Sequence, residues 1–470
     1  MSGCDPGGPS PYTAALGRAP IEIAWEHDPR HVSGPFTPDR LAVTKALTAI
    51  DPDHAELRAA RSLGVAVEPW QQVIADAAIG QLLVAVAGTH GKSTSAAWLV
   101  HVLAAAGLDP AAFVGALLPS PITGDVPATA RHGAGRHFVV EADEYAGNFD
   151  PYRSAASLVT NVEWDHPDVF ADRSAVLNAF EAWIRRMPES RGRPVLVINV
   201  GDPGAAALAE RLGDWPGEII ATALVDGSTR DVPSVLDGRR EGYGTASGPA
   251  AAIAGRIIAN EAASTTIEIS GWPSFEAPLR VRLPTAGRHN AANALGVAAM
   301  ALHLGLEPES VAVGRASYPG VGRRLERIGA ARGVVIYDDY GHHPTAIRAT
   351  LLALRQLEPD RRVWAVYEPL TYHRTAAMLD GFAEVLAQAD AVAVAEIWAG
   401  RDPDVTVATA AGLADAVIAH RPGITAVAPG TVEETARWLA ANVADGDAVL
   451  VMGGGRSYLI GRLLLAALET

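Results

Sequence analysis

Three α/β domains in series are the architecture this sequence predicts, and three observations carry that prediction. A chain of 470 residues has room for two to four domains at about 100–200 residues each. Short, continuous apolar runs alternate with stretches of helical spacing, the pattern of mostly parallel sheets covered on both faces. The alternation breaks near residues 318–332, where Tyr318-Pro319-Gly320-Val321-Gly322 is followed by a group of arginines, and then resumes. The expected units are 1–80, 81–320 and 321–470.

The first block ends in Gly64–Trp70, a short strand and turn. Residues 82–88 read as a buried strand, and after a Gly-rich turn residues 92–106 carry Ala, Trp, Leu and Val at helical spacing. Apolar runs at Phe138–Val140, Ser157–Val162 and Pro194–Val200 continue the sheet. From about 240 to 284 the chain is richer in Thr, Ile and Val, and partial alternation at Ser264–Ser270 and Leu279–Leu283 predicts a few antiparallel strands at a sheet edge. A helix opens near Arg288. The last series of strands is expected at Val334–Tyr337, Val363–Tyr367, Ala391–Ile397 and Ala448–Met452.

Composition narrows the function classes. With 49% hydrophobic and 19% charged residues the chain is neither disordered nor fibrous. A net charge of −15 argues against broad nucleic-acid binding. One cysteine, Cys4, excludes an internal disulfide framework and any Cys-based zinc site. The sequence shows no apolar run of about 18 residues and no basic-then-apolar leader, so a soluble cytoplasmic protein without membrane insertion is the expectation. Lysine occurs only at positions 45 and 92, a bias typical of GC-rich genomes. Lys45 reads as an ordinary surface residue. Lys92 sits where a compact ammonium differs in use from a guanidinium.

Gly88-Thr89-His90-Gly91-Lys92-Ser93-Thr94 joins the predicted strand to the predicted helix. Backbone N–H groups at such a turn make a concave positive site for phosphate, with a lysine for the β- and γ-phosphates and a hydroxyl for Mg²⁺. Val86 stands where the general phosphate-loop pattern has glycine, so this is a variant form. Glu141-Ala142-Asp143-Glu144 lies at the carboxyl end of a strand, where α/β sheets place ligands; carboxylates so crowded call for cations, though a solvated acidic loop has the same composition. Asn161-Val162-Glu163-Trp164-Asp165-His166 repeats the design with a histidine, a residue more often structural than ligating when alone. His289-Asn290-Ala291-Ala292-Asn293, Gly322-Arg323-Arg324-Leu325-Glu326 and Asp338-Asp339-Tyr340-Gly341-His342-His343-Pro344 follow. Each of these could be helix capping or surface charge; their order and company favour a nucleotide site.

Together these segments resemble the Mur ligase family, ATP-dependent amide ligases of peptidoglycan synthesis, along the whole chain. The forms at 141–144 and 338–344 resemble the branch that adds L-alanine to UDP-N-acetylmuramate. The resemblance implies an N-terminal Rossmann-like UDP-substrate domain, a central phosphate-loop ATP domain and a C-terminal Rossmann-like domain, in a monomer or homodimer. It implies that Gly88, Thr89, His90, Gly91, Lys92, Ser93 and Thr94 hold ATP, and that Ser93 and Glu141 bind Mg²⁺ with His166 at a second Mg²⁺. Asn290 and Asn293 would face adenine, Arg324 the phosphates, and Asp339 with His343 the ribose. Tyr340 and Arg374 would contact substrate. Lys92, Glu141, His166 and Arg324 would form the catalytic set. Some members support the second metal with a carbamylated lysine after the histidine motif; no lysine follows Lys92 here, which fits the alanine-adding branch.

Two departures stand out. The chain opens at Met1-Ser2-Gly3-Cys4-Asp5, resembling the end of the second strand of the UDP unit, so the expectation is a first strand, Gly-rich turn and helix upstream of a miscalled start, the alternative being an incomplete UDP site. In Tyr367–Thr375, Leu370-Thr371 stand where relatives carry His-Arg, leaving Arg374 to clamp the α-carboxylate, with His373 as a candidate substitute for the lost histidine. The competing readings are a recycling ligase that joins a preformed peptide, a phosphate-loop kinase or ATPase, and a non-catalytic nucleotide or UDP-sugar binder.

Overall fold

The computed structural model describes residues 1–35, 37–189, 192–226, 251–273, 275–400, 402 and 404–470. Its largest element is a ten-stranded sheet. In spatial order the strands are Leu279–Leu283, Ser264–Ser270, Ala251–Glu261, Glu218–Leu224, Val195–Asn199, Ala156–Val159, Leu82–Ala87, His137–Ala142, Ala111–Leu118 and Ala128–Arg131. The inner strands are parallel. Leu83–Ala87 and Ala156–Val159 are buried throughout, which explains their unbroken apolar runs: a strand covered on both faces has no polar side to alternate with.

Helices Lys92–Ala105 and Arg288–His303 cover one face around Trp98, Leu99, Leu295 and Met300. Helices Arg173–Ile184 and Pro203–Arg211 cover the other around Phe180, Trp183 and Leu208. The edge expected to be antiparallel is so: Ala251–Glu261, Ser264–Ser270 and Leu279–Leu283 form a meander. Residues 240–250 of that expectation lie outside the described residues.

A six-stranded sheet follows, ordered Glu326–Ala331, Val334–Asp339, Asp447–Gly453, Arg362–Glu368, Ala391–Ala395 and Thr425–Gly430. All its pairings are parallel except that of the first strand. The chain enters it through a strained turn, with Arg323 at φ 58° and Leu325 at φ 50°.

The N-terminal block is expected as a truncated Rossmann-like unit without its first strand, and its remaining strands are parallel. Its strands form two separate parallel pairs, Ser2–Cys4 with Glu22–Ala24 and Arg40–Val43 with Ala66–Pro69. The apolar cluster beneath is small, built on Val32, Ala60 and Val65. Among the described residues no helix is long and apolar enough to cross a membrane.

Candidate active site

Leu82–Ala87 lies between His137–Ala142 and Ala156–Val159, all parallel. Three carboxyl ends, and therefore three of the sequence motifs, meet at one edge. Gly88–Ser93 is pinned there by the 160–163 segment. Asn161 Oδ1 accepts from the His90 N–H at 2.8 Å, Thr160 Oγ1 donates to the His90 carbonyl at 2.6 Å, and the Glu163 N–H donates to Thr89 Oγ1 at 2.8 Å.

Two glycines are required by space as well as by conformation. Gly88 has φ 137°, and a Cβ there would stand 2.1 Å from Thr160 Oγ1; Gly91 has φ 78°, and its Cβ would meet Asn293 Oδ1 at 2.7 Å. Gly91 also precedes helix Lys92–Ala105 without a side-chain cap. The first-turn N–H groups are left for a ligand, and the helix dipole favours an anion.

Lys92 Nζ donates to Glu144 Oε2 at 2.8 Å and lies 3.7 Å from Asp143. Burial opposes its charge, but Glu144 and Asp143 more than compensate and push its pKa upward. Ser93 Oγ donates to Glu141 Oε1 at 2.8 Å, and the Gly115 N–H donates to Oε2 at 2.6 Å. Arg324, from the second sheet, donates through Nη2 to Ser93 Oγ at 3.0 Å. The left-handed residues on either side, Arg323 and Leu325, turn inward instead. Arg323 is buried against Asp338, the Gly453 carbonyl and Ser457, and the Leu325 N–H is taken by Asp339. Alternating backbone hand thus sends the two neighbouring guanidinium groups to different places.

His166 is at φ 57°. Arg374 Nη2 donates to its Nδ1 at 3.0 Å, and the other nitrogen, Nε2, faces Glu144 Oε1 at 3.9 Å. Asp143, Glu144 and His166 bring one donor atom each within 4.8 Å of one another. With Glu141 and the Ser93 hydroxyl they offer mainly hard oxygen donors beside a phosphate loop, which fits Mg²⁺.

The other predicted residues converge on the same cavity, about 900 Å³ in volume and walled by both sheets. Asn290 donates to the Ala286 carbonyl at 2.8 Å, and Asn293 abuts Gly91. Tyr340 lies 5.1 Å from the guanidinium carbons of both Arg323 and Arg324. Asp339 is 6% exposed, and its two oxygens accept from the N–H groups of Leu325 and Gly341, both at 2.7 Å. In this structure it braces a turn. His343 caps helix Pro344–Leu357, and its Nε2 lies 3.3 Å from the Trp164 carbonyl. Burial first, then the charge of His90, lower its pKa to about 4. Arg374 is 4% exposed and engaged with Asp165 as well as His166. His373 stands apart from these contacts, with its N–H and ring on Asp402.

Several participants are not legible as site residues in the sequence. Asp143, Glu144, Glu163 and Asp165 lie inside motifs but resemble the acids beside them. Trp398, on the cavity wall, has no local signal at all; it is placed by a bridge to Leu370 and by its carbonyl accepting from the Thr371 N–H at 2.9 Å. Lys45, expected to be an ordinary surface residue, instead donates to the Ala146 carbonyl at 2.6 Å, tying the N-terminal block to the turn that follows Glu144.

Residues 86–301 match the family described as Mur ligase middle domain, and residues 323–455 match Mur ligase, glutamate ligase domain. The chain is 36% identical over 465 residues to a UDP-N-acetylmuramate–L-alanine ligase of Mycolicibacterium vanbaalenii, covering 97% of this chain and 88% of that protein. It is also 36% identical to the enzyme of the same name from Kineococcus radiotolerans, covering 98% and 89%. Among solved structures, the UDP-N-acetylmuramate–alanine ligase of Thermotoga maritima superposes with a TM-score of 0.72 at 20% identity, covering 97% of this chain and 90% of that one. A murein peptide ligase from Psychrobacter arcticus gives 0.70 at 22%, covering 100% and 93%. At those identities the superpositions speak for the fold.

Proposed function

The chain belongs to the Mur ligase family, ATP-dependent enzymes that form amide bonds, and we propose that it joins L-alanine to the lactyl carboxylate of UDP-N-acetylmuramate in peptidoglycan synthesis. The observation that carries the reading is one cavity that brings the phosphate loop, the Glu141–Glu144 turn and His166 together with Arg324 and Arg374 from the other sheet.

The first-turn N–H groups after Gly91 cradle the ATP phosphates, and Lys92 neutralises charge on the β- and γ-phosphates. Asn290 and Asn293 lie toward adenine, and the Asp339–His343 turn closes on the ribose side. Ser93 and Glu141 would hold one Mg²⁺ and His166 a second, supplying positive charge at the phosphate oxygens. The muramyl carboxylate attacks the γ-phosphorus; the bond to the β–γ bridging oxygen breaks, giving an acyl phosphate and ADP. The neutral amine of L-alanine then adds to the acyl carbon. The tetrahedral adduct loses a proton from nitrogen and expels inorganic phosphate.

Arg324 stabilises charge on the transferring group from the C-terminal side, and Arg374, its Nε and Nη2 already on Asp165, would turn its remaining edge to the α-carboxylate of the amino acid. A cavity closed by two sheets keeps water from the acyl phosphate, which water would otherwise hydrolyse. The reaction would run in the cytoplasm, where ATP and nucleotide-sugar substrates reside.

The test is ADP release with Mg²⁺-ATP and UDP-N-acetylmuramate against L-alanine, glycine, L-serine and a stem tripeptide. Turnover that depends on L-alanine supports the proposal. Turnover only with the tripeptide would replace it by peptide recycling, and ADP release indifferent to every acceptor would remove the ligase assignment.

A further inference from the structure

The N-terminal block carries a group of side chains that lies outside the cavity described above. Glu56, in the first turn of helix Ala55–Ser62, is 4% exposed. Among the described residues no Lys or Arg forms an ion pair with it; its partners are histidines, the thiol and the Asp28 N–H, which donates to Oε1 at 3.0 Å. Its Oε1 lies 2.8 Å from His31 Nδ1, its Oε2 lies 3.3 Å from His27 Nδ1, and Cys4 Sγ is 3.4 and 3.3 Å from the two oxygens. Cys4 Sγ is also 3.3 Å from His27 Nδ1.

We propose that Cys4, His27, His31 and Glu56 form a mixed sulfur–nitrogen–oxygen site for a single zinc-class divalent cation, a structural staple of the N-terminal block.

The spacing suits such an ion. Bonds of about 2.0–2.1 Å to N and O and about 2.3 Å to S, at tetrahedral angles, set donors about 3.3–3.6 Å apart. Taking one atom per ligand, Cys4 Sγ, His27 Nδ1 and Glu56 Oε2 stand 3.3 Å from one another, while His31 Nδ1 lies 2.8 Å from the other carboxylate oxygen and shares a 4.8 Å neighbourhood with Cys4 and Glu56. The donor types select the metal: a thiolate with two imidazoles suits Zn²⁺ and disfavours Mg²⁺, which takes oxygen. The four ligands come from four separate places, namely strand Ser2–Cys4, the segment after strand Glu22–Ala24, helix Arg30–Ser33 and helix Ala55–Ser62. One ion would therefore cross-link the whole block.

Among the described residues the block's apolar cluster is Val32, Ala60 and Val65, with Leu41, Ala59 and Val67 packed against it. His54 supports the group from outside: it caps the Glu56 helix, and its ring stands edge-on to His27 at 4.6 Å. Counting cysteines could not reveal the site, because a mixed donor set needs only one thiol.

Cys4 is the only cysteine in the chain, so thiolate–metal absorption reports this site and no other. The full chain is stripped with chelator and titrated with Co²⁺. The expected result is one equivalent giving a near-ultraviolet thiolate-to-cobalt band, displaced by Zn²⁺ and untouched by excess Mg²⁺. Zn²⁺ should also raise Tm and slow modification of Cys4 by a maleimide at least tenfold. Glu56→Gln should weaken Co²⁺ binding at least tenfold, and Cys4→Ser should abolish the band. Should either variant fail to fold, the absorption and maleimide protection of the unaltered chain decide. Saturating Co²⁺ without a thiolate band, or a Cys4 as reactive with Zn²⁺ as without, overturns the proposal.

Discussion

Arg374 Nε donates to Asp165 Oδ1 at 2.9 Å across 209 residues of chain, and both side chains are 4% exposed. Asp165 belongs to the turn after strand Ala156–Val159 of the large sheet. Arg374 lies in helix Tyr372–Ala377, beyond the carboxyl end of a strand in the small one. The pair therefore joins the two halves of the cavity at its floor. Arg374 in turn holds the carboxylate of Asp165 well below the ordinary range, against burial that raises it.

Removing one partner of this buried pair should cost on the order of 3 kcal/mol, since the other charge is left without compensation. Asp165→Ala and Arg374→Ala should each lower stability in urea unfolding. The double variant should lose less than the sum of the two, a coupling that a double-mutant cycle measures. In steady-state kinetics Arg374→Ala should raise KM for L-alanine at least tenfold and KM for ATP much less. Equal effects on the two would place Arg374 outside the acceptor site.

Lys92 tests the phosphate loop. Lys92→Ala should cut phosphate release at least about a hundredfold, the scale of losing one preorganised charge contact to a transition state, with far-ultraviolet circular dichroism unchanged. Lys92→Arg should be nearly as inactive, because Nζ fits between Glu144 and the Thr89 carbonyl, where a planar guanidinium is broader and differently directed. Retained turnover in either variant would remove the residue from catalysis.

The metal assignment predicts a shifted Mg²⁺ dependence. Glu141→Ala and His166→Ala should each raise the Mg²⁺ concentration for half-maximal ADP formation several-fold or stop it. If Glu141→Ala leaves the Mg²⁺ curve in place, the contacts of Glu141 with Ser93 and the Gly115 N–H are a structural brace only.

What a sequence can disclose of such a molecule differs by kind of signal. Buried parallel strands announce themselves as runs such as Leu82–Ala87, since burial on both faces removes polar positions, and the motifs at their carboxyl ends follow from sheet topology. Asp165 and Glu163 stand inside a recognisable motif, yet their roles are not encoded there: their partners, Arg374 and Thr345, lie 209 and 182 residues away, and no local pattern specifies such a meeting. Lys45 looks like a surface residue for the same reason, its partner being a backbone carbonyl 101 residues on. The N-terminal block is the least legible, because strands of three or four residues carry almost no periodicity.

Acid should loosen the contact between the two sheets in two stages. His343 is buried against the large sheet with its pKa at about 4 instead of 6.5. The unfolded chain then binds the proton more readily than the folded one. The stability from a neutral His343 is complete above pH 6.5 and is lost as pH falls toward 4, on the order of 3 kcal/mol. Glu163, held at about 2 against its burial by His90, Thr345 and His343, contributes stability above about pH 4.5 that is lost as pH falls toward 2. Tm should fall from pH 6.5 downward, and His343→Gln should flatten the first stage and, since His343 is the last of the groups holding Glu163, move the second only slightly to higher pH. An unchanged pH profile in that variant would refute the assignment.

Thr371 offers the last test. A β-branched side chain at φ 63° is a strained conformation, costing about 1–3 kcal/mol. It is held by the Thr371 N–H on the Trp398 carbonyl at 2.9 Å and by the Thr375 hydroxyl on its own carbonyl at 2.7 Å. Because Trp398 and Leu370 line the cavity beside it, the strain sets the shape of the acceptor end. At φ 63° and ψ 145° only glycine is at ease, so Thr371→Gly relieves the conformation and should raise Tm by a few degrees. Its effect on acceptors separates two uses of the strain: a rise in KM for L-alanine without change for ATP would mean that the tense turn shapes the amino-acid pocket. An unchanged KM with a higher Tm would mean that the turn merely closes the loop. A Tm that fails to rise would show that the neighbouring hydrogen bonds already compensate for the conformation.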